Sequence, residues 1–180
     1  MTSERKLKCE ICGTTFRKNK GSVILTEESF VIGICPSCHD DVYQDGLRYE
    51  VDVMIIPVTE ESFEIAIRFK KYISPNVRRR PKFIAFYRPD VKAITHISRV
   101  SKIILNVSRS EVKDFFNSQK HSSWMNAEEF DIFEILTPIM LRHKIERKDA
   151  STIQNRVYKT FKEFSKAREI KDLYLQKDLI

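Results

Sequence analysis

The chain has 180 residues, 42% of them hydrophobic, with 32 Lys and Arg against 25 Asp and Glu and a net charge of +7. This composition excludes a largely disordered chain, and no apolar run approaches the ~20 residues of a membrane-spanning helix. The N-terminus leads into no apolar signal segment, so a cytoplasmic protein without a membrane partner is expected.

The first feature along the chain is a pair of CxxC knuckles, Cys9-Glu-Ile-Cys12 and Cys35-Pro-Ser-Cys38, separated by 22 residues. Four thiolates at this spacing suit one tetrahedral Zn²⁺ in a closed, structural site. Two disulfides are the competing explanation and are disfavoured inside a cell; an iron–sulfur cluster is less common with this pattern. Between the knuckles, Ser22–Thr26 and Phe30–Ile34 are β-branched runs joined by a polar turn, which predicts a hairpin. His39–Tyr43 is expected to begin a short helix ended by Gly46. Knuckle, hairpin and knuckle predict a treble clef or a zinc ribbon over residues 1–47, with a module boundary near Asp45–Arg48. So small a module needs its metal to fold.

Beyond that boundary, residues 48–180 carry period-2 patterning. Expected strands are Tyr49–Pro57, Phe63–Phe69, Lys82–Arg88, Val91–Val100, Lys102–Val107 and Phe130–Leu136. Ser108-Arg109-Ser110-Glu111 is a capping box that opens a helix toward Phe115 and Phe116. A second helix is predicted over Thr152–Ile170, with Ile153, Val157, Phe161 and Phe164 on one stripe. Many strands with a few peripheral helices give an α+β chain: a small zinc module, then a β-rich curved sheet or barrel.

Charge is distributed unevenly. Residues 68–109 hold twelve basic side chains and a single acid, Asp90. Such a concentration is the footprint of a polyanion partner, DNA or RNA. Within it, Arg78, Arg79 and Arg80 lie in a connection framed by Pro75 and Pro81, where three guanidinium groups can hold phosphates bidentately. Lys82 and Arg88 extend the set. Tyr87, at a strand end, and Trp124, in a polar stretch, are the expected aromatic walls of a base-sized cleft. His96 reads as a strand histidine bonded to its neighbours.

Two resemblances bear on these residues. Cys35-Pro-Ser-Cys38-His39-Asp40-Asp41-Val42-Tyr43 resembles the closing segment of zinc-containing HNH nucleases, but Ser22–Ile34 contains no histidine to activate water. The resemblance implies a shared scaffold without the activity. The segment Phe83–Val100, with its aromatic pair, turn and returning Ile-x-x-Ile-x-x-Val strand, resembles the central strands of PUA-like domains of the ASCH and EVE group. That likeness implies a pseudo-barrel that binds RNA or a modified DNA base.

Catalytic patterns are sparse. No glycine-rich phosphate loop can be assembled from four early glycines, and HExxH, GxSxG and deaminase motifs are absent. A restriction-type nuclease would set Asp52 and Glu64 on neighbouring strands, but Ala66 stands where that motif needs lysine. The alternative to a nucleic-acid binder is therefore a nuclease or nuclease-derived protein of HNH or restriction-endonuclease type, or an adaptor that docks a protein partner through the zinc module.

Overall fold

A computed structural model describes residues 6–9, 12–17, 22–25, 31–41, 52–75, 77, 79–113 and 126–174. Its frame is a seven-stranded sheet built around β5 (Asp52–Pro57), β7 (Phe83–Arg88) and β8 (Ala93–Ser108), with β6 (Lys71–Ser74), β9 (Glu129–Ile135), β10 (Ile139–Glu146) and β11 (Val157–Thr160). The order is β11-β5-β7-β8-β9-β6, with β10 also on β8. β5 and β7 are parallel, and the other pairings are antiparallel.

β8 gives the sheet its curvature. Its first half lies between β7 and β10, while its second half pairs with β9. Register shifts interrupt the β8–β9 ladder between Val100 and Lys102 and between Ile104 and Val107. Such shifts bend a strand and raise its twist. At the second, Asn106 sits at φ 54°, a region asparagine tolerates, and its amide donates to the buried Asp131 carboxylate (3.3 Å). The other Asp131 oxygen accepts from the Val77 amide (3.2 Å), which ties the 75–81 connection to this bend.

Both faces of the β5–β7 pair are covered, which explains why its residues read as nearly continuous apolar runs. Met54, Ile56, Ile84 and Phe86 point inward with Phe63, Ala66 and Ile67, meeting Phe133 and Ile135 of β9. Val53, Ile55, Phe83, Ala85 and Tyr87 point the other way, under Ile153, Phe161, Phe164, Ile170 and Leu173 of the C-terminal segment.

Several sequence expectations are corrected here. Phe63–Phe69 is not a strand; Glu60–Phe69 is a helix. Thr59 caps it by accepting from the Ser62 amide at 3.1 Å, and its buried residues, Phe63, Ala66 and Ile67, follow helical spacing. Val91–Val100 and Lys102–Val107 form one bent strand. The predicted Thr152–Ile170 helix is instead β11, the short helix Phe161–Lys166 and the 3₁₀ turn Ile170–Leu173. Thr160 ends the strand and starts the helix, exchanging capping-box hydrogen bonds with Glu163. The capping box at Ser108 does form, with the Ser108 amide donating to Glu111 (3.1 Å), over a helix spanning Arg109–Val112.

The N-terminal segment contributes two small antiparallel pairs, β1 (Lys6–Lys8) with β2 (Thr15–Arg17) and β3 (Ser22–Leu25) with β4 (Val31–Ile34). The second is the expected hairpin. A helical segment over 36–41 follows, starting at Pro36 inside the second knuckle rather than at His39. Proline suits this first helical position because its missing N–H would be unsatisfied there in any case. The expected helix stop at Gly46 and the module boundary at Asp45–Arg48 lie outside the described residues. No described helix is long and apolar enough to cross a membrane.

Candidate functional site

Two loops and a helix start bring the four cysteines together. The turn between β1 and β2 carries Cys9 and Cys12; β4 ends directly before Cys35, and Cys38 follows one helical turn later. The four sulfurs all lie within 4.8 Å of one another. Cys12 and Cys35 Sγ are 3.6 Å apart, far beyond a disulfide bond, and none of the four cysteines is in a disulfide. Tetrahedral sulfurs ~2.3 Å from a zinc ion would stand about 3.8 Å apart, so the donor set fits such an ion.

Electrostatics agree with that fit. The Thr14 hydroxyl and amide pull the exposed Cys12 thiol down to about 6. Burial raises the Cys35 thiol, and the Cys38 thiol strongly, above the ordinary value. Buried thiols resist ionisation until a cation compensates them, and a divalent ion supplies that charge. The Cys35 amide already donates to Cys9 Sγ (3.4 Å), the kind of support that favours a thiolate.

Gly33 makes the convergence sterically possible. It bridges to Cys9, and a Cβ placed there would lie 2.9 Å from Phe16 Cζ and 3.2 Å from Leu7 Cβ. Gly33→Val should push β1 and β2 away from β4 and weaken metal retention at least tenfold in a chelator competition, with Gly33→Ala milder. Equal retention by parent and valine variant would show that the close approach is dispensable.

The cysteine segment is anchored to the sheet. Cys9, Ile34, Cys35 and Cys38 belong to the same buried cluster as Ile139, Leu141 and Ile145 of β10. His39 Nε2 donates to the Met140 carbonyl (2.6 Å), and Asp40 pairs with Arg142. The second contact is exposed on both sides and contributes little; the burial and the His39 bond fix the position.

The basic block also converges, and the ladder shows how. The Val100 amide donates to the Lys82 carbonyl (2.8 Å), and Val100 is paired with Ile135. The Ile135 amide donates in turn to the Lys70 carbonyl (2.9 Å), and the Leu136 amide to Arg99 (2.9 Å). One row thus crosses from Lys82 through β8 and β9 to Lys70, over three strand spacings of ~4.8 Å each. In the neighbouring row Glu134 lies between Lys71 and Lys102. Arg80, Lys82, Arg99 and Lys102 are exposed around this end of the sheet.

Arg79 is exposed as well, with its guanidinium 5.3 Å from the Tyr158 ring centre. Pro75 and Pro81, which frame this connection, are buried, so the loop is pinned at both ends while Arg79 and Arg80 are exposed. Arg78 and Trp124 lie outside the described residues.

Two expected contact residues do not serve as drawn. Tyr87 is 0% exposed, because β7 is covered on both faces; its hydroxyl lies 3.3 Å from Thr152 Oγ1. It is a core residue and not a cleft wall. Arg88 pairs with Glu60 and with Asp90 (3.2 Å), and its guanidinium stands 5.2 Å from the Phe63 ring centre. It is committed to the helix Glu60–Phe69 rather than offered to a phosphate. The restriction-type arrangement also fails: Glu64 stands on that helix, so Asp52 and Glu64 are not on neighbouring strands.

His96 is buried, with Nδ1 2.8 Å from Thr95 Oγ1. Burial, with Arg88 and Lys144 adding repulsion, pushes its pKa down to about 3, so it remains neutral at physiological pH. Sequence reasoning missed Lys70, Lys71, Arg99 and Lys102 as members of one surface. The charge count contained them, but only the strand register shows that they stand in adjoining rows of one sheet.

An open groove of about 590 Å³ lies elsewhere, lined by Thr152, Asn155, Arg156, Lys171 and Tyr174 among others. No protein-family model matches the chain, and no curated protein matches it either. Among solved structures the chain is similar to the ASCH protein of Zymomonas mobilis, at 14% identity and a TM-score of 0.41, over 58% of this chain and 85% of that one. A serine-to-alanine variant of the same protein gives 12% identity and a TM-score of 0.43 over the same shares.

Proposed function

We propose that the chain is a zinc-containing nucleic-acid-binding protein. In this reading Cys9, Cys12, Cys35 and Cys38 hold one structural Zn²⁺ in a treble-clef module, residues 1–47. The β-rich remainder, residues 48–180, is a PUA-like pseudo-barrel that grips phosphates with its basic end. The observation that carries the reading is the ladder from Lys82 to Lys70, which gathers cations from three separate stretches of sequence onto one end of the sheet. A predominantly positive surface gathered in this way attracts a polyanion and makes its binding salt-dependent. Arg78, Arg79 and Arg80 extend that surface along the 75–81 connection.

A bound zinc ion would supply cross-linking rather than chemistry, since four thiolates close its shell and leave no position for water or substrate. The protein's own contribution is positioning: phosphate contacts orient a strand without reading its sequence.

The test is a salt titration of oligonucleotide binding by the metal-loaded protein. A variant with Arg80, Lys82 and Lys102 replaced by alanine should bind more weakly on every sequence. Its plot of log affinity against log salt should flatten by roughly 0.9 for each duplex DNA phosphate that the variant no longer neutralises. Lys166→Ala, on the helix Phe161–Lys166, should leave the slope unchanged. A triple variant that binds with the parent's affinity and slope would reduce the basic end to a solvated surface.

A further inference from the structure

A second surface, chemically unlike the basic end, lies where β10 leaves its partner strand. Met140 pairs with His96 and Ile145 with Ile94, so residues 141–144 of β10 stand against Thr95 alone. The extra residues cannot stay in the ladder and bulge from it. Across from the bulge run the helix Phe161–Lys166 and the stretch that follows it, with an open groove of about 280 Å³ between. The Glu146 amide donates to the Arg168 carbonyl (3.2 Å), which holds the two walls together at one end.

The lining of this groove divides by chemistry. Its buried members include Leu141, Ile145 and Phe164, and its exposed members are Arg142, His143 and Arg168. Lys144 and Lys166, on the same two walls, are exposed as well. No carboxylate side chain is among the described residues that line it. The Arg168 amide meets the Asp172 carboxylate (2.9 Å), while its guanidinium has no hydrogen bond or ion pair among the described residues. At the rim, Arg142 already takes one carboxylate, that of Asp40 from the cysteine segment. Leu141 and Ile145 belong to the same buried cluster as Cys9, Cys35 and Cys38, and His39 holds the Met140 carbonyl, so the cysteine segment braces the wall that carries the bulge.

We infer that this groove docks a short acidic segment of a partner protein. One apolar side chain of the segment lies on Leu141, Ile145 and Phe164, and its carboxylates meet Arg168, His143 and Arg142. Charge complementarity selects an acidic partner, and the apolar lining selects a polypeptide. A nucleic acid could offer phosphates to the rim, but its bases would find no open ring, since Phe164 is 2% exposed. The inference concerns a different surface from the basic end and does not depend on the nucleic-acid reading.

The experiment follows fluorescence anisotropy of three labelled probes on the metal-loaded protein: the peptide Asp-Glu-Leu-Glu-Asp, the same peptide with serine at its centre, and an oligothymidylate of similar charge. The parent should bind the leucine peptide about tenfold more tightly than the serine peptide, the gain expected for burying one aliphatic side chain. Arg168→Glu, an exposed change, should weaken the leucine peptide about tenfold or more, because it sets like charges against each other. Ser165→Phe, which fills part of the groove and removes no cation, should abolish the preference for leucine. The oligothymidylate should be insensitive to both variants. Failure of the parent to bind the leucine peptide, equal binding of the two peptides, or unchanged binding by Arg168→Glu would overturn the proposal. An oligothymidylate that loses as much affinity on Arg168→Glu as the peptide does would overturn it too, by making the groove part of a nucleic-acid surface. A parent that binds the peptide and no nucleic acid would support the groove while sinking only the reading of the basic end.

Discussion

Cys35→Ser is expected to release the bound metal and to loosen β10 along with the cysteine module. Cys35 is buried, its amide supports Cys9, its sulfur faces Cys12, and the 36–41 helical segment begins directly after it. In small zinc modules the metal contributes on the order of 10–16 kcal/mol of apparent binding energy that is also folding energy. β1 to β4 are three- and four-residue strands, too short to hold together on hydrogen bonds alone. The damage should spread because Cys9, Ile34, Cys35 and Cys38 are part of the same buried cluster as Ile139 and Leu141. Metal analysis should fall from about one zinc per chain to a small fraction of that. Hydrogen exchange should rise over 31–41 and 139–146 while β5 and β7 stay protected. Unchanged exchange in a metal-free variant would show that the cysteine segment folds without an ion.

Tyr87→Ala is expected to be a stability lesion of about 3–5 kcal/mol, the range for deleting a large aromatic from a packed core. Tyr87 is fully buried with Val53, Ile94 and Ile153 in its cluster, and alanine would leave a cavity between the sheet and the C-terminal segment. Tyr87→Phe should cost about 1 kcal/mol or less, since the hydroxyl's contact with Thr152 is 3.3 Å long. Urea unfolding of the three proteins checks the order. A stable, well-folded Tyr87→Ala protein that loses base discrimination would restore the cleft-wall role expected from the sequence.

The cysteine cluster was the most legible part of the chain, because CxxC spacing encodes the turn that aims two sulfurs at one point. The hairpin of β3 and β4 and the capping box at Ser108 were legible for a similar reason: a short local signal determines them. The helix Glu60–Phe69 was not, since Phe63, Ile65, Ile67 and Phe69 satisfy a period of two while Phe63, Ala66 and Ile67 satisfy a helix. The cap at Thr59 decides between them. β11 was hidden inside an apparent helical stripe because Val157, half-buried on a strand, falls in phase with Phe161 and Phe164. Tyr87 misled because alternation shows only that neighbouring side chains point to opposite faces. It cannot show that both faces are covered, which depends on a C-terminal segment more than sixty residues away in sequence. The basic surface was legible as a charge excess and illegible as a site. Lys70, Lys82, Arg99 and Lys102 are set in adjoining rows only by the pairing of β7, β8 and β9 and the Ile135–Lys70 hydrogen bond.

Whether the end of the sheet marked by Lys70, Lys82 and Lys102 binds nucleic acid can be read by hydrogen exchange of the metal-loaded protein, with and without a saturating oligonucleotide. New protection is expected over 68–71, 80–82, 99–102 and 134–136, with little change over 36–41. Protection confined to the groove lined by Thr152, Arg156 and Tyr174, or none anywhere under conditions where the oligonucleotide is bound, would contradict binding at the basic end.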